Sequence, residues 1–255
     1  MNLKIVVATH KPYQMPKDPC YLPVEVGAAL RPQHFADYRQ DNAGKNISEK
    51  NKTFCELTAL YWAWKNLNAD AVGLVHYRRY FKSGKNFRHK WAGIAKQADY
   101  ETLLQKVPVI LPCKRNYYIE TSYSQYVHAH HEQDLTITRQ ILVEKYPAYL
   151  PAYDSWMKKT SGHRFNMFVM RRPEFEQYCE WLFSVLFELE KRLDISAYSE
   201  YDKRVFGFVS ERLLDCWIET NEIAYKELPV LNMESQHWPK KILRFLRRKF
   251  IRNKI

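Results

Sequence analysis

Short β-branched runs alternate along this chain with longer segments of helical periodicity, and that alternation most narrows what it can become. Lys4–Thr9 reads as a strand, Ala71-Val72-Gly73-Leu74-Val75 as a buried strand, and Val107–Leu111 and Phe165–Met170 as two more. Between them lie helical stretches: one capped by Ser48 or Asn51 and running through Glu56 to Trp64, then Ser124–Tyr146 ended by Pro147, Phe175–Leu193 behind Pro173, and the strongly apolar Phe206–Ile218. Strands that alternate with helices, and are apolar on both faces, predict an α/β fold with a mainly parallel sheet flanked by helices. A chain of 255 residues suits one such domain, expected over 1–238. Pro16–Gln40, rich in Pro and aromatics, reads as a long loop, and Asp41–Asn46 as turn chemistry.

Familiar sites are absent from the sequence. It has no Walker A loop, no GxGxxG and no GxSxG, so the usual NTPase, dinucleotide and α/β-hydrolase readings fall away. Five scattered Cys with no CxxC spacing predict free thiols in a reducing compartment. Met1–Val7 enters an apolar strand directly, so no signal peptide is expected, and no run approaches the roughly 20 apolar residues that span a bilayer.

Ligands of open α/β sheets bind beyond the carboxyl ends of strands. Two polar clusters stand there: Thr9-His10-Lys11, and His76-Tyr77-Arg78-Arg79. Guanidinium forks match phosphate oxygens, so the second cluster reads either as an anion cradle or as a solvated strand end. His130 and Asp134, i and i+4 on the expected helix, suit two metal ligands or one His–Asp pair, and no third ligand stands nearby. Glu211 with Arg212 interrupts the apolar helix; the carboxylate either pairs with Arg212 or Arg204 or points into a site. No DxD follows a strand to hold a divalent ion, so metal-independent chemistry is favoured, with Mn or Mg left open.

The segments Ile5–Lys11, Asp41–Asn51, Phe54–Trp62, Val72–Phe81, Asn166–Met170, Tyr178–Phe183 and Arg204–Leu213, in this order, resemble a bacterial family of capsular and exopolysaccharide synthesis proteins. The family is long catalogued as a domain of unknown function, and some members are assigned as galactosyl- or galactofuranosyltransferases. The resemblance implies a GT-A-like fold and a UDP-sugar donor meeting Thr9, His10, Lys11, Asn46, Lys50, Asn51, His76, Tyr77, Arg78 and Arg79. It places Asn166, Met167, Arg204 and Arg212 on the acceptor side, and leaves Glu211, Asp134 and His130, in that order, as candidates to take the acceptor proton. The expected acceptor is a lipid-linked capsular, exopolysaccharide or O-antigen saccharide.

Eight cations and no acid lie within 240–255, two thirds of the net charge of +12. Ile242, Leu243, Phe245, Leu246 and Phe250 fall on one helical side and Arg244, Arg247, Arg248 and Arg252 on the other. Residues 239–255 therefore read as a basic amphipathic tail for an anionic membrane surface, which implies a cytoplasmic protein peripheral on the inner face of the cell membrane. Three rival readings exist: a nucleic-acid-binding protein, which charge concentrated in one tail disfavours; a non-catalytic scaffold of a polysaccharide assembly complex; and a sugar-phosphate transferase.

Overall fold

A computed structural model describes residues 1–84 and 89–234, so the basic tail and the end of the expected domain lie outside it. The elements in chain order are β1 (Leu3–Thr9), β2 (Tyr21–Glu25), β3 (Arg39–Gln40), α1 (Asn51–Phe54), α2 (Leu57–Asn66), β4 (Ala71–His76), β5 (Arg79–Phe81), α3 (Gln97–Leu104), β6 (Val109–Pro112), β7 (Arg115–Asn116), α4 (Ser122–Val127), α5 (Glu132–Lys145), α6 (Leu150–Lys158), β8 (Ser161–Gly162), β9 (Phe168–Arg171), α7 (Arg172–Arg192), α8 (Val205–Thr220), β10 (Tyr225–Leu228) and β11 (Val230–Asn232).

The central sheet runs β10-β6-β9-β4-β1-β2-β3, with β5 and β11 branching from β4. Along that path only β9 opposes its neighbours; every other pairing is parallel. The expected α/β architecture with a mainly parallel sheet is therefore present. Its central strands are buried on both faces because their alternate residues feed two cores. Val6, Ala8, Val72 and Leu74 pack under α2, α7 and α8, whereas Ile5, Val7, Ala71 and Val75 meet Tyr100 and Leu104 of α3 with Tyr80 and Phe81. Gly73 sits where strands crowd: a Cβ there would lie 2.6 Å from Ile5 Cδ1 and 3.0 Å from the Phe168 carbonyl.

Four sequence expectations need correction. Pro16–Gln40 is not all loop; it contains β2 and β3. Pro23 disguised β2, yet it is tolerated because the Glu25 carbonyl, two residues on, faces outward to Asp41 N, and β3 begins to pair only at Val24. The helix expected through Trp64 breaks at Cys55 (φ 52), and neither Ser48 nor Asn51 caps it by a side-chain bond. Ser124–Tyr146 is two helices, so His130 falls in the break before α5 and does not share a helical face with Asp134. β9 starts at Phe168 because Phe165 (φ 77) and Asn166 (φ 51) are left-handed.

Candidate active site

β1 and β4 end side by side, Ala8 opposite His76, and β9, running the other way, brings Phe165 and Asn166 to the same edge. A cleft of about 570 Å³ opens there, closed on the far side by α8, the 201–204 segment and Arg115 and Tyr117 at β7. Its lining holds six side chains that carry positive charge (Lys52, Arg78, Arg79, Arg115, Arg204 and Arg212) against two carboxylates, Glu56 and Glu211.

The end of β4 builds one wall. The His76 ring Nε2 lies 2.5 Å from the Phe165 carbonyl, which pins it to the β9 side of the cleft. Tyr77 is buried and stands edge-on to both His10 and Tyr13, with Lys11 Nζ 5.1 Å above its ring. Arg78 Nη1 reaches Glu234 at 3.3 Å, and Lys11 meets the same carboxyl group at 3.6 Å. Arg79 lays its guanidinium 4.4 Å over the Phe165 ring, and its buried Nε has no hydrogen-bond partner. A buried donor left without a partner is costly unless a ligand supplies an acceptor.

These groups depress one another's charge. Burial lowers His10, and Lys11, Arg31, Arg78 and Arg204 push it further down. Burial likewise lowers His76; Glu56 opposes that shift and Arg79 adds to it. The Arg79 guanidinium is itself lowered by burial and by Arg78. Carboxylates offset these cations only in part, and a bound anion would relieve the excess.

The opposite wall comes from α8. Arg204, Phe208, Glu211 and Arg212 recur at helical spacing and all face the cleft. Arg212 Nη1 donates to Glu211 Oε2 at 3.1 Å and Nη2 to Gln125 Oε1, while its buried Nε, too, has no partner. Burial and neighbouring Arg164 lower this guanidinium as well. Glu56 reaches the cleft through the break between α1 and α2. Asn51 Nδ2 spans that break by donating to the Cys55 carbonyl at 2.7 Å, and Asn166 Nδ2 donates to Glu56 Oε1 at 2.7 Å. Cys55 and Phe165 on the cleft and Asn166 behind it are non-glycine residues at positive φ, each costing on the order of 1–3 kcal/mol, and strain of this kind gathers at functional sites.

Of the residues expected from sequence, His10, Asn51, His76, Tyr77, Arg78, Arg79, His130, Arg204, Glu211 and Arg212 line the cleft. Others serve the scaffold beside it. Thr9 is buried and its hydroxyl donates to the Lys11 carbonyl at 2.6 Å. Asn46 ties its own turn through Asn42 and Gly44, and Lys50 pairs with Glu190 at 2.6 Å. Met167 is core, whereas Asn166 holds Glu56, the Gly207 carbonyl and Ser210. Asp134 is buried under the hydroxyls of Tyr126 and Tyr198, away from the cleft lining. His130 pairs instead with Asp202, Nδ1 to Oδ1 at 3.1 Å. Sequence reasoning missed Glu56, Lys52, Arg115, Tyr201 and Phe208; only Phe208 carried a signal, its spacing from Arg204 and Glu211.

All five cysteines are free. Among the described residues, no helix is long and apolar enough to cross a membrane.

Comparison with known proteins narrows the reading. No curated protein matches the chain. A solved structure, the apo form of the bifunctional glycosyltransferase WbbM, is similar with a TM-score of 0.86 and 30% sequence identity over 92% of this chain. The chain spans 46% of that structure's length, so the likeness is to about half of a two-activity protein. The family model described as a domain of unknown function, DUF4422, matches residues 4–222, and the chain belongs to that family.

Proposed function

We propose that this chain is a glycosyltransferase whose cleft binds a nucleoside diphosphate sugar, taken here as a UDP-sugar. The supporting observation is the surplus of cations lining the cleft, including two buried guanidinium Nε atoms, of Arg79 beyond β4 and of Arg212 on α8, that no protein group satisfies. A diphosphate supplies the acceptors and the charge that this surplus lacks. The likeness to a glycosyltransferase agrees with that reading.

In the proposed reaction the acceptor hydroxyl oxygen bonds to the anomeric carbon as the bond from that carbon to the diphosphate oxygen breaks. Negative charge develops on the departing diphosphate, where Arg78, Arg79 and the neighbouring His10 and Lys11 stabilise it. The transition state is oxocarbenium-like, as in glycoside hydrolysis. For an inverting transfer, Glu211 takes the acceptor proton. Glu56 is the second candidate, because it is the other carboxylate on the cleft, and His130 with Asp202 is the third.

Galactose or galactofuranose is the proposed sugar, and a lipid-linked capsular, exopolysaccharide or O-antigen saccharide the proposed acceptor. Residues 239–255 would hold the protein at an anionic inner membrane surface. Thermal shift across a panel of nucleotide sugars, with and without manganese, followed by product analysis, tests the donor and the reaction, and vesicle sedimentation of a variant lacking residues 239–255 tests the tail. A UDP-sugar should stabilise the protein and be consumed with release of UDP, and Arg78→Ala should abolish both while leaving the fold intact. Full turnover by that variant would end the assignment.

A further inference from the structure

The cleft has a second chemical character away from its cations. His130, Tyr201 and Phe208 form a ring cluster on its α8 side: His130 stacks on Phe208 at 4.2 Å and 25°, and on Tyr201 at 5.7 Å and 21°. Tyr201 and Phe208 lie 5.3 Å apart, and Arg204 caps both rings at 5.7 and 5.3 Å. The cluster is rigidly seated. His130 is fixed by Asp202, and Phe208 is rooted in α8 against the core.

Yet Tyr201 is 55% exposed and lines the cleft. A large ring held in place by neighbours, wet on the remainder and facing a ligand cleft, fits a ligand with a flat apolar face and a polar edge. A saccharide ring has both: its C–H face packs on an aromatic face, and its hydroxyls meet nearby charged groups. Those groups are present, since Arg204 lies over Tyr201, and Glu211 follows Phe208 by one helical turn.

We infer that Tyr201, backed by His130 and Phe208, is the shelf on which the acceptor's terminal sugar ring stacks, and so a residue that sets acceptor specificity. This rests on the glycosyl-transfer reading for its purpose, not for its geometry. It also explains the order of the cleft. The donor's diphosphate faces Arg78 and Arg79 at the β4–β5 turn, the acceptor sugar lies against the 201–208 rings, and Glu211 stands on the acceptor's side to receive its proton.

The test uses the full chain, with Tyr201→Ala and Tyr201→Phe variants and two independent readouts. Saturation-transfer NMR measures binding of the methyl glycosides of galactose, glucose, mannose and N-acetylglucosamine, and thermal shift measures UDP binding. The wild type and Tyr201→Phe should bind at least one methyl glycoside, Tyr201→Ala should bind it about tenfold more weakly, as for loss of one stacked ring, and the UDP shift should be equal in all three. Saccharide binding indifferent to Tyr201, or no methyl glycoside bound by the wild type, overturns the shelf and leaves the donor reading standing. A UDP shift lost in Tyr201→Ala also overturns it, because the ring then serves the nucleoside. Saccharide binding that depends on Tyr201, in a protein that UDP does not stabilise, upholds the shelf and sinks the donor reading instead.

Discussion

Asn166 holds Glu56 across 110 positions of sequence, its Nδ2 donating to the carboxylate Oε1 at 2.7 Å. The same amide donates to the Gly207 carbonyl and its oxygen accepts from the Ser210 hydroxyl, so one side chain joins the entry to β9, the α1–α2 break and α8. Asn166 also sits at φ 51, a conformation that Asn tolerates better than other side-chain-bearing residues. Asn166→Ala should therefore cost about 2 kcal/mol through the unsatisfied groups it leaves, and should lower kcat because Glu56 loses its anchor. Urea denaturation and turnover, measured on the same preparation, check both halves.

Arg79 should matter to the chemistry more than to the fold. Its Nε is one of the buried cleft donors that await an acceptor. Arg79→Ala should lower turnover of a UDP-sugar roughly 100- to 1,000-fold, the range for removing one donor to a developing oxyanion. Steady-state kinetics decide it. A change in KM alone would show that Arg79 meets ground state and transition state equally.

Donor affinity should rise as pH falls. Free His10 titrates below the ordinary 6.5 because it is buried and surrounded by cations. The negative diphosphate favours the imidazolium, so binding takes up a proton, and affinity must then increase as pH falls from neutrality toward the lowered value of free His10. The diphosphate of a UDP-sugar, unlike free UDP, has no group titrating in that window, so it is the right probe. Calorimetry in buffers of different ionisation enthalpy measures the proton uptake directly, and His10→Asn should reduce it. The ligand-free protein carries the opposite trend: the unfolded chain binds protons at 6.5 where folded His10 and His76 do not, so their contribution to stability is full above 6.5 and is lost as pH drops through the lowered values.

A separate buried cluster fixes the frame. His163 contacts Asp215 through Nδ1 and Glu227 through Nε2 at 3.0 Å, and Arg164 lies 3.7 Å from Asp215, with the His163, Arg164 and Asp215 side chains almost wholly buried. Asp215→Ala leaves that positive charge uncompensated and should cost about 3–5 kcal/mol. The midpoint of chemical denaturation should fall accordingly. A near-neutral result would mean that the cluster relaxes without its carboxylate.

Much of the site was legible because charge at the end of an apolar strand is a local pattern. His76 ends β4 with Tyr77 to Arg79 directly after it, and Glu211 with Arg212 interrupt an apolar helix, so no tertiary knowledge was needed to single them out. Glu56 was hidden by the opposite circumstance. Its sequence reads as continuous helix, and only the turn at Cys55, closed by Asn51, tips its carboxylate into the cleft. Asp134 failed in reverse: a polar residue on a plausible helix proved to be a buried anchor for two tyrosine hydroxyls.

Local patterning alone determined the alternation of elements, the burial of β1 and β4 on both faces and the mainly parallel sheet, because periods of 2 and 3.6 are written in neighbouring residues. Tertiary structure alone decided which charges share the cleft, where helices break and which histidine meets which carboxylate. Those outcomes depend on contacts between segments as far as 110 and 156 positions apart, and on backbone held at positive φ by its surroundings, neither of which a residue's neighbours specify.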